Sequence, residues 1–130
     1  CYPLFPFSGG TMPDRLDEFQ NFRAELTEEI LNCGHLGIKR SFALDHQTYE
    51  PGALDTKTKE LLGLVASMVL RCDDCITYHL VRAGELGWTR DEVIDALNVA
   101  LVVGGSITIP HVRRAFARMR DVPGLQPEVR

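Results

Sequence analysis

Apolar residues recur along this chain at intervals of three and four, the repeat of helices with one buried face, and no stretch alternates with the two-residue period of a strand. Leu16, Phe19, Phe22, Leu26 and Ile30 follow Pro13-Asp14 and stop before Gly34, which predicts a first helix over residues 13–33. A weaker repeat through Leu36, Phe42, Leu44 and Tyr49 predicts a second over residues 35–50, closed by the turn signal Pro51-Gly52. Asp55 stands where it can cap a third helix. That helix carries Leu61, Leu62, Leu64, Val65, Met68 and Val69, a face broad enough to be buried on several sides, and it is read as the central one. A fourth runs from Cys72-Asp73-Asp74-Cys75 through Ile76, Leu80, Val81, Ala83 and Leu86 to a closing Gly87. Thr89-Arg90-Asp91-Glu92 has the form of a capping box opening a fifth helix to about Val103, which Gly104-Gly105 ends. Pro110 suits the first turn of a sixth, with Val112, Phe116 and Met119 on its apolar side. The expected class is all-α, with about six helices in a single domain over residues 1–130. Residues 1–12 and 121–130 are expected to be loose ends.

Composition narrows the function classes. A chain of 130 residues, 45% hydrophobic and 25% charged, is one ordinary globular domain. The net charge is −4, and the basic residues are dispersed except for Arg113, Arg114, Arg118 and Arg120, so no nucleic-acid partner is expected. The most apolar stretch, Ala96 to Ile109, is broken by Asn98 and by Gly104-Gly105 and falls short of the roughly 20 residues needed to span a bilayer, so no membrane association is expected. The first ten residues have neither a basic segment nor an unbroken apolar run of the kind that directs export, and a cytoplasmic location is expected.

Chemistry concentrates in one place. Cys72, Cys75 and His79 stand at i, i+3 and i+7, which on a helix of 3.6 residues per turn is one face. The pair lies where the chain enters the helix, and there the unpaired amides and the positive dipole end favour thiolate over thiol. Asp73 and Asp74, between the sulfurs, oppose that effect. If helices three and four form an antiparallel hairpin, Glu60 comes alongside His79, and a carboxylate bonded to an imidazole fixes its tautomer for proton transfer. The alternative is a solvated Glu60 beside Lys57 and Lys59. Two rival uses of the cysteines stand beside redox chemistry: a purely structural disulfide, and a zinc site completed by His79 and a fourth ligand. Zinc sites usually draw ligands from two separated loops, whereas here there is one cluster, and no metal is expected. Cys1 and Cys33 have no comparable neighbours; His46 and His111 are read as surface or packing residues rather than as an acid–base pair.

Three runs together carry a family resemblance: Pro51-Gly52-Ala53-Leu54-Asp55-x-Lys57-x-Lys59-Glu60-Leu61, then Cys72-x2-Cys75-x3-His79, then Gly87-x3-Asp91-Glu92-Val93-Ile94-x-Ala96-Leu97. The chain resembles the AhpD-like, or carboxymuconolactone decarboxylase, family over about residues 35–120, and the spacing Glu-x11-Cys-x2-Cys-x3-His marks the alkylhydroperoxidase-type branch. The resemblance implies an all-helical fold assembled as trimers or hexamers, a homo-oligomeric habit also suggested by the apolar breadth of helices three and five. It implies a thiol peroxidase acting on hydroperoxides without a cofactor. Cys75 matches the peroxidatic thiol, Cys72 the resolving thiol, and His79 and Glu60 the proton relay, with a dithiol or a lipoylated protein as reductant. Asp74 departs from the pattern, since well-known members carry a histidine before the second cysteine. The decarboxylase branch, a lyase acting on carboxylated lactones, typically lacks the cysteine pair.

Overall fold

The computed structural model describes residues 15–128, and the first twelve residues, expected as a loose end, lie outside them. Among the described residues the chain forms α1 (Arg15–Asn32), α2 (Leu36–Thr48), α3 (Thr56–Val69), α4 (Asp73–Glu85), α5 (Arg90–Gly104), a short 3₁₀ turn (Ser106–Thr108) and α6 (Ile109–Met119), with no strand. The all-α expectation holds, and the predicted helices lie within a few residues of the observed ones.

Local chemistry sets the boundaries. Asp55 caps α3 by accepting from the Thr58 amide at 2.8 Å, and the Thr58 hydroxyl together with that amide holds its carboxyl below the ordinary carboxylate value. At α5 both halves of the capping box form: the Glu92 amide donates to Thr89 Oγ1 at 3.2 Å and the Thr89 amide donates to Glu92 Oε1 at 3.0 Å. Gly87 and Gly105 take φ of +86° and +81° just beyond α4 and α5, where a side chain would be strained. The α3–α4 turn is tighter. Arg71 adopts φ of +61°, and the Cys72 amide reaches back to Ser67 O at 3.0 Å, so a non-glycine residue accepts left-handed backbone, at about 1–2 kcal/mol, directly before the cysteine pair.

The core gathers between α3, α4, α5 and α6. Leu64 and Met68 of α3 meet Ile76 and Leu80 of α4, Val93, Leu97 and Ala100 of α5, and Ala115 and Met119 of α6, all of them buried. Each fully buried Leu, Ile or Met of this set contributes roughly 1.5–3 kcal/mol from burial. The central helix of the expectation is α3, packed against both α4 and α5. Its apolar face is not wholly covered: Leu62 is exposed, as are Val99, Val102 and Val103 of α5.

Part of the C-terminal segment expected to be loose belongs to the core. Val122 and Leu125 are buried, and the Leu125 carbonyl accepts from Arg90 Nη1 at 2.9 Å. The physical reason is their three-residue spacing across the Pro123-Gly124 turn, which lets both side chains close over the end of α4 where Gly84 has no side chain to obstruct them. By contrast, no residue of α2 is buried by the described residues. This helix is tied down at its C-terminal end, where Lys59 Nζ donates to Thr48 O at 2.9 Å and Glu50 O at 2.7 Å, and Thr56 Oγ1 donates to Tyr49 O at 2.8 Å.

Candidate active site

The α3–α4 hairpin brings three of the four predicted residues onto one helix and the fourth opposite them. Cys72 is the N-cap of α4, its Sγ accepting from the Cys75 amide at 3.2 Å, and the two cysteines are joined in a disulfide with Cα atoms 5.2 Å apart. Cys72 is half-buried and Cys75 is exposed. One turn further, His79 is buried at 7% exposure, and its Nδ1 lies 2.7 Å from Oε2 of Glu60, itself 1% exposed. The solvated alternative for Glu60 is therefore ruled out. With the carboxylate as acceptor, Nδ1 carries the proton and donates, leaving Nε2 as the nitrogen able to take one.

An arginine completes the carboxylate's surroundings. Arg82 Nε approaches Glu60 Oε1 at 3.5 Å while its Nη1 donates to Glu85 at 2.6 Å. The bond to Glu85, with the charge of Glu60, holds this guanidinium above its ordinary value against the opposing effect of burial. Sequence reasoning missed Arg82, although its position three residues after His79 puts it on the same face of α4 and was a usable signal.

Two tyrosines enclose the imidazole. Tyr78 meets it edge-on at 5.2 Å between ring centroids, and Tyr49, from the end of α2, at 5.5 Å and 43°. Gly63 of α3 makes their approach feasible: a Cβ there would lie 2.7 Å from Tyr49 Oη and 2.8 Å from His79 Nε2, so any side chain would displace one or both. Beyond these rings, a cavity of about 360 Å³ opens between α1, α2 and α4, lined by Cys75, His79, Tyr49 and Tyr78 and, on α1, by the apolar Phe19, Phe22, Leu26 and Ile30.

The remaining candidates separate. Asp73 accepts from His111 Nδ1 at 2.7 Å and from Arg114 at 3.3 Å, so His111 fastens the start of α4 to α6. His46 lines a wider opening that Tyr49 also borders, and Asp74 is exposed beside Cys75. Among the described residues no group of three or more His, Cys, Asp or Glu is placed to hold a metal ion, and no helix is long and apolar enough to cross a membrane.

Fold and site define an all-helical protein with a cysteine pair at a helix N-terminus and a carboxylate-backed imidazole one turn on. The model of the carboxymuconolactone decarboxylase family matches residues 39–118, more than half of the chain, and the chain belongs to that family. A family protein from Thermotoga maritima, "possibly involved in antioxidative response", is 56% identical, superposes with a TM-score of 0.76, and is covered over 88% of its length by 80% of this chain. A family protein from Legionella pneumophila is 25% identical with a TM-score of 0.68, over 81% of this chain and 96% of that one. "Uncharacterized protein 4 in cox locus" of Paracoccus denitrificans is 29% identical over 82 residues, 63% of this chain and 74% of its own.

Proposed function

We propose that this protein is a thiol-dependent peroxidase of the alkylhydroperoxidase type, reducing hydroperoxides through Cys75 and Cys72. The observation that carries the reading is the hydrogen bond between buried Glu60 and His79, one helical turn from an exposed Cys75 that opens into the same cavity as the imidazole. In the reduced protein, His79 Nε2 takes the Cys75 proton. The thiolate attacks the outer peroxide oxygen, the O–O bond breaks, and the alkoxide leaves with the proton returned by the imidazolium. Sulfur is oxidised by two electrons to a sulfenic acid and the peroxide is reduced to an alcohol. The Cys72 thiol then condenses with the sulfenic acid, releasing water and forming the Cys72–Cys75 disulfide. A dithiol, free or on a lipoylated protein, returns the pair to thiols and leaves as a disulfide.

The test is a titration of fully reduced protein with one equivalent of an organic hydroperoxide, following peroxide loss and intact mass. The expected result is rapid loss with a decrease of about 2 Da as two thiols become a disulfide. Persistence of peroxide at the uncatalysed rate, with both thiols free, overturns the reading and moves attention to carboxylated lactones.

The working form is proposed to be a homo-oligomer closed through Leu62, Val99, Val102 and Val103, exposed apolar side chains on the two packed helices α3 and α5 that association would remove from water. Light scattering at micromolar concentration is expected to give a multiple of the chain mass, and a single-chain particle overturns it.

A further inference from the structure

The phenol of Tyr49 has no part in the relay just described, and its half-buried ring stands against the imidazole of His79. The hydroxyl shares the space above Gly63 with the Nε2 edge of His79, the edge that Glu60 leaves free, and Tyr49 lines the cavity that holds Cys75. Its backbone is held in place by the Thr56 hydroxyl on Tyr49 O and by Lys59 on the carbonyls at either side. The rest of α2 is unburied, so this fastening determines where the phenol sits. Burial, reinforced by the carboxylates of Glu60 and Asp45, pushes the phenol up from its ordinary value, which keeps it a donor at neutral pH.

Resting on the peroxidase reading above, we propose that Tyr49 is a further catalytic residue, whose hydroxyl donates a hydrogen bond to the peroxide oxygen that leaves as alkoxide. When the Cys75 sulfur takes the outer oxygen, negative charge gathers on the inner one. A neutral, immobile donor already in the cavity stabilises that charge in the transition state more than in the bound peroxide. The proton that ends on the alcohol is still the one His79 removed from Cys75, so Tyr49 is unchanged at the end of the step. The substrate is then held by its oxygen on Tyr49 and by its organic group on the apolar α1 wall formed by Phe19, Phe22, Leu26 and Ile30.

The experiment compares wild type and Tyr49→Phe in two reactions of the reduced protein: reduction of cumene hydroperoxide and alkylation of Cys75 by iodoacetamide, the latter located by peptide mass. Alkylation needs the Cys75 thiolate but no donor to a peroxide oxygen. The expected result is a fall of on the order of 10²-fold in the peroxide rate constant, the usual consequence of losing one such donor, with alkylation at the wild-type rate and thus an intact site. Equal peroxide rates in both proteins overturn the proposal. Equal losses in both reactions also overturn it, because Tyr49 then acts only by packing His79. A wild type that is alkylated at Cys75 but inert to peroxide removes the peroxidase reading, and this inference with it.

Discussion

Cys75→Ser is expected to bring peroxide consumption down to the uncatalysed rate, a loss of at least about 10³-fold, because a serine hydroxyl is far less acidic and less nucleophilic than a thiol. The two cysteines have different physical qualifications for the attack. Cys72 is the N-cap of α4, where the Cys75 amide and the helix dipole favour an anion on its sulfur. Cys75 has the greater exposure, and it opens with His79 into the cavity under the apolar wall of α1. Attack on a peroxide requires access and a base for the thiol proton, which Cys75 has; condensation requires a stabilised thiolate close to the sulfenic acid, which the N-cap gives to Cys72. Cys72→Ser is accordingly expected to consume one equivalent of peroxide and stop, gaining about 16 Da as a trapped sulfenic acid. Mass spectrometry of both variants after one equivalent of hydroperoxide decides the assignment. A Cys75→Ser protein that still reduces peroxide, beside an inert Cys72→Ser protein, reverses it.

Much of this arrangement was legible because it depends on helical periods and short turns. Glu60 and His79 lie nineteen positions apart on two helices joined by a tight turn, so the hairpin geometry alone brings them together. The capping box at Thr89 and the Asp55 cap were legible for the same reason, each resting on a contact three residues long. Contacts that cross longer stretches left no such trace. His111 reaches Asp73 across thirty-eight positions, and nothing local in either segment announces the pair. Tyr49 enters the site from the end of the most weakly patterned helix, and its position depends on Thr56 and Lys59 beyond the Pro51-Gly52 turn. The Pro- and Gly-rich composition of residues 121–128 reads as loop, which it is in backbone, but composition does not say that Val122 and Leu125 point inward. Arg82 was within reach of the periodicity argument. An arginine in the last turn of a helix is also favoured by the helix dipole alone, so its residue type does not by itself point to Glu60.

Arg82 in turn determines what happens when the relay carboxylate is neutralised. Glu60→Gln preserves shape, but the buried amide must choose an orientation between Arg82 Nε at 3.5 Å and His79 Nδ1 at 2.7 Å. Arginine offers only donors, so the amide oxygen turns toward Arg82 and the NH₂ group faces the imidazole. Nδ1 must then accept, the ring proton moves to Nε2, and the nitrogen that should take the Cys75 proton already carries one. The expected loss is ~10²–10⁴-fold in the peroxide rate constant, the range for an impaired general base. It should extend equally to iodoacetamide alkylation of Cys75, which separates this effect from that of Tyr49→Phe. Stability should fall by only about 1–3 kcal/mol, since the buried atoms remain bonded and only a charge-assisted bond is weakened. Because Arg82 imposes the wrong orientation, Arg82→Met in the Glu60→Gln background should restore part of the lost rate, the amide being free to turn its oxygen to Nδ1. A double-mutant cycle on both rate constants measures that coupling. If Glu60→Gln alone reacts with peroxide like wild type, the imidazole does not work through its carboxylate, and Glu60 is a structural counterion to Arg82.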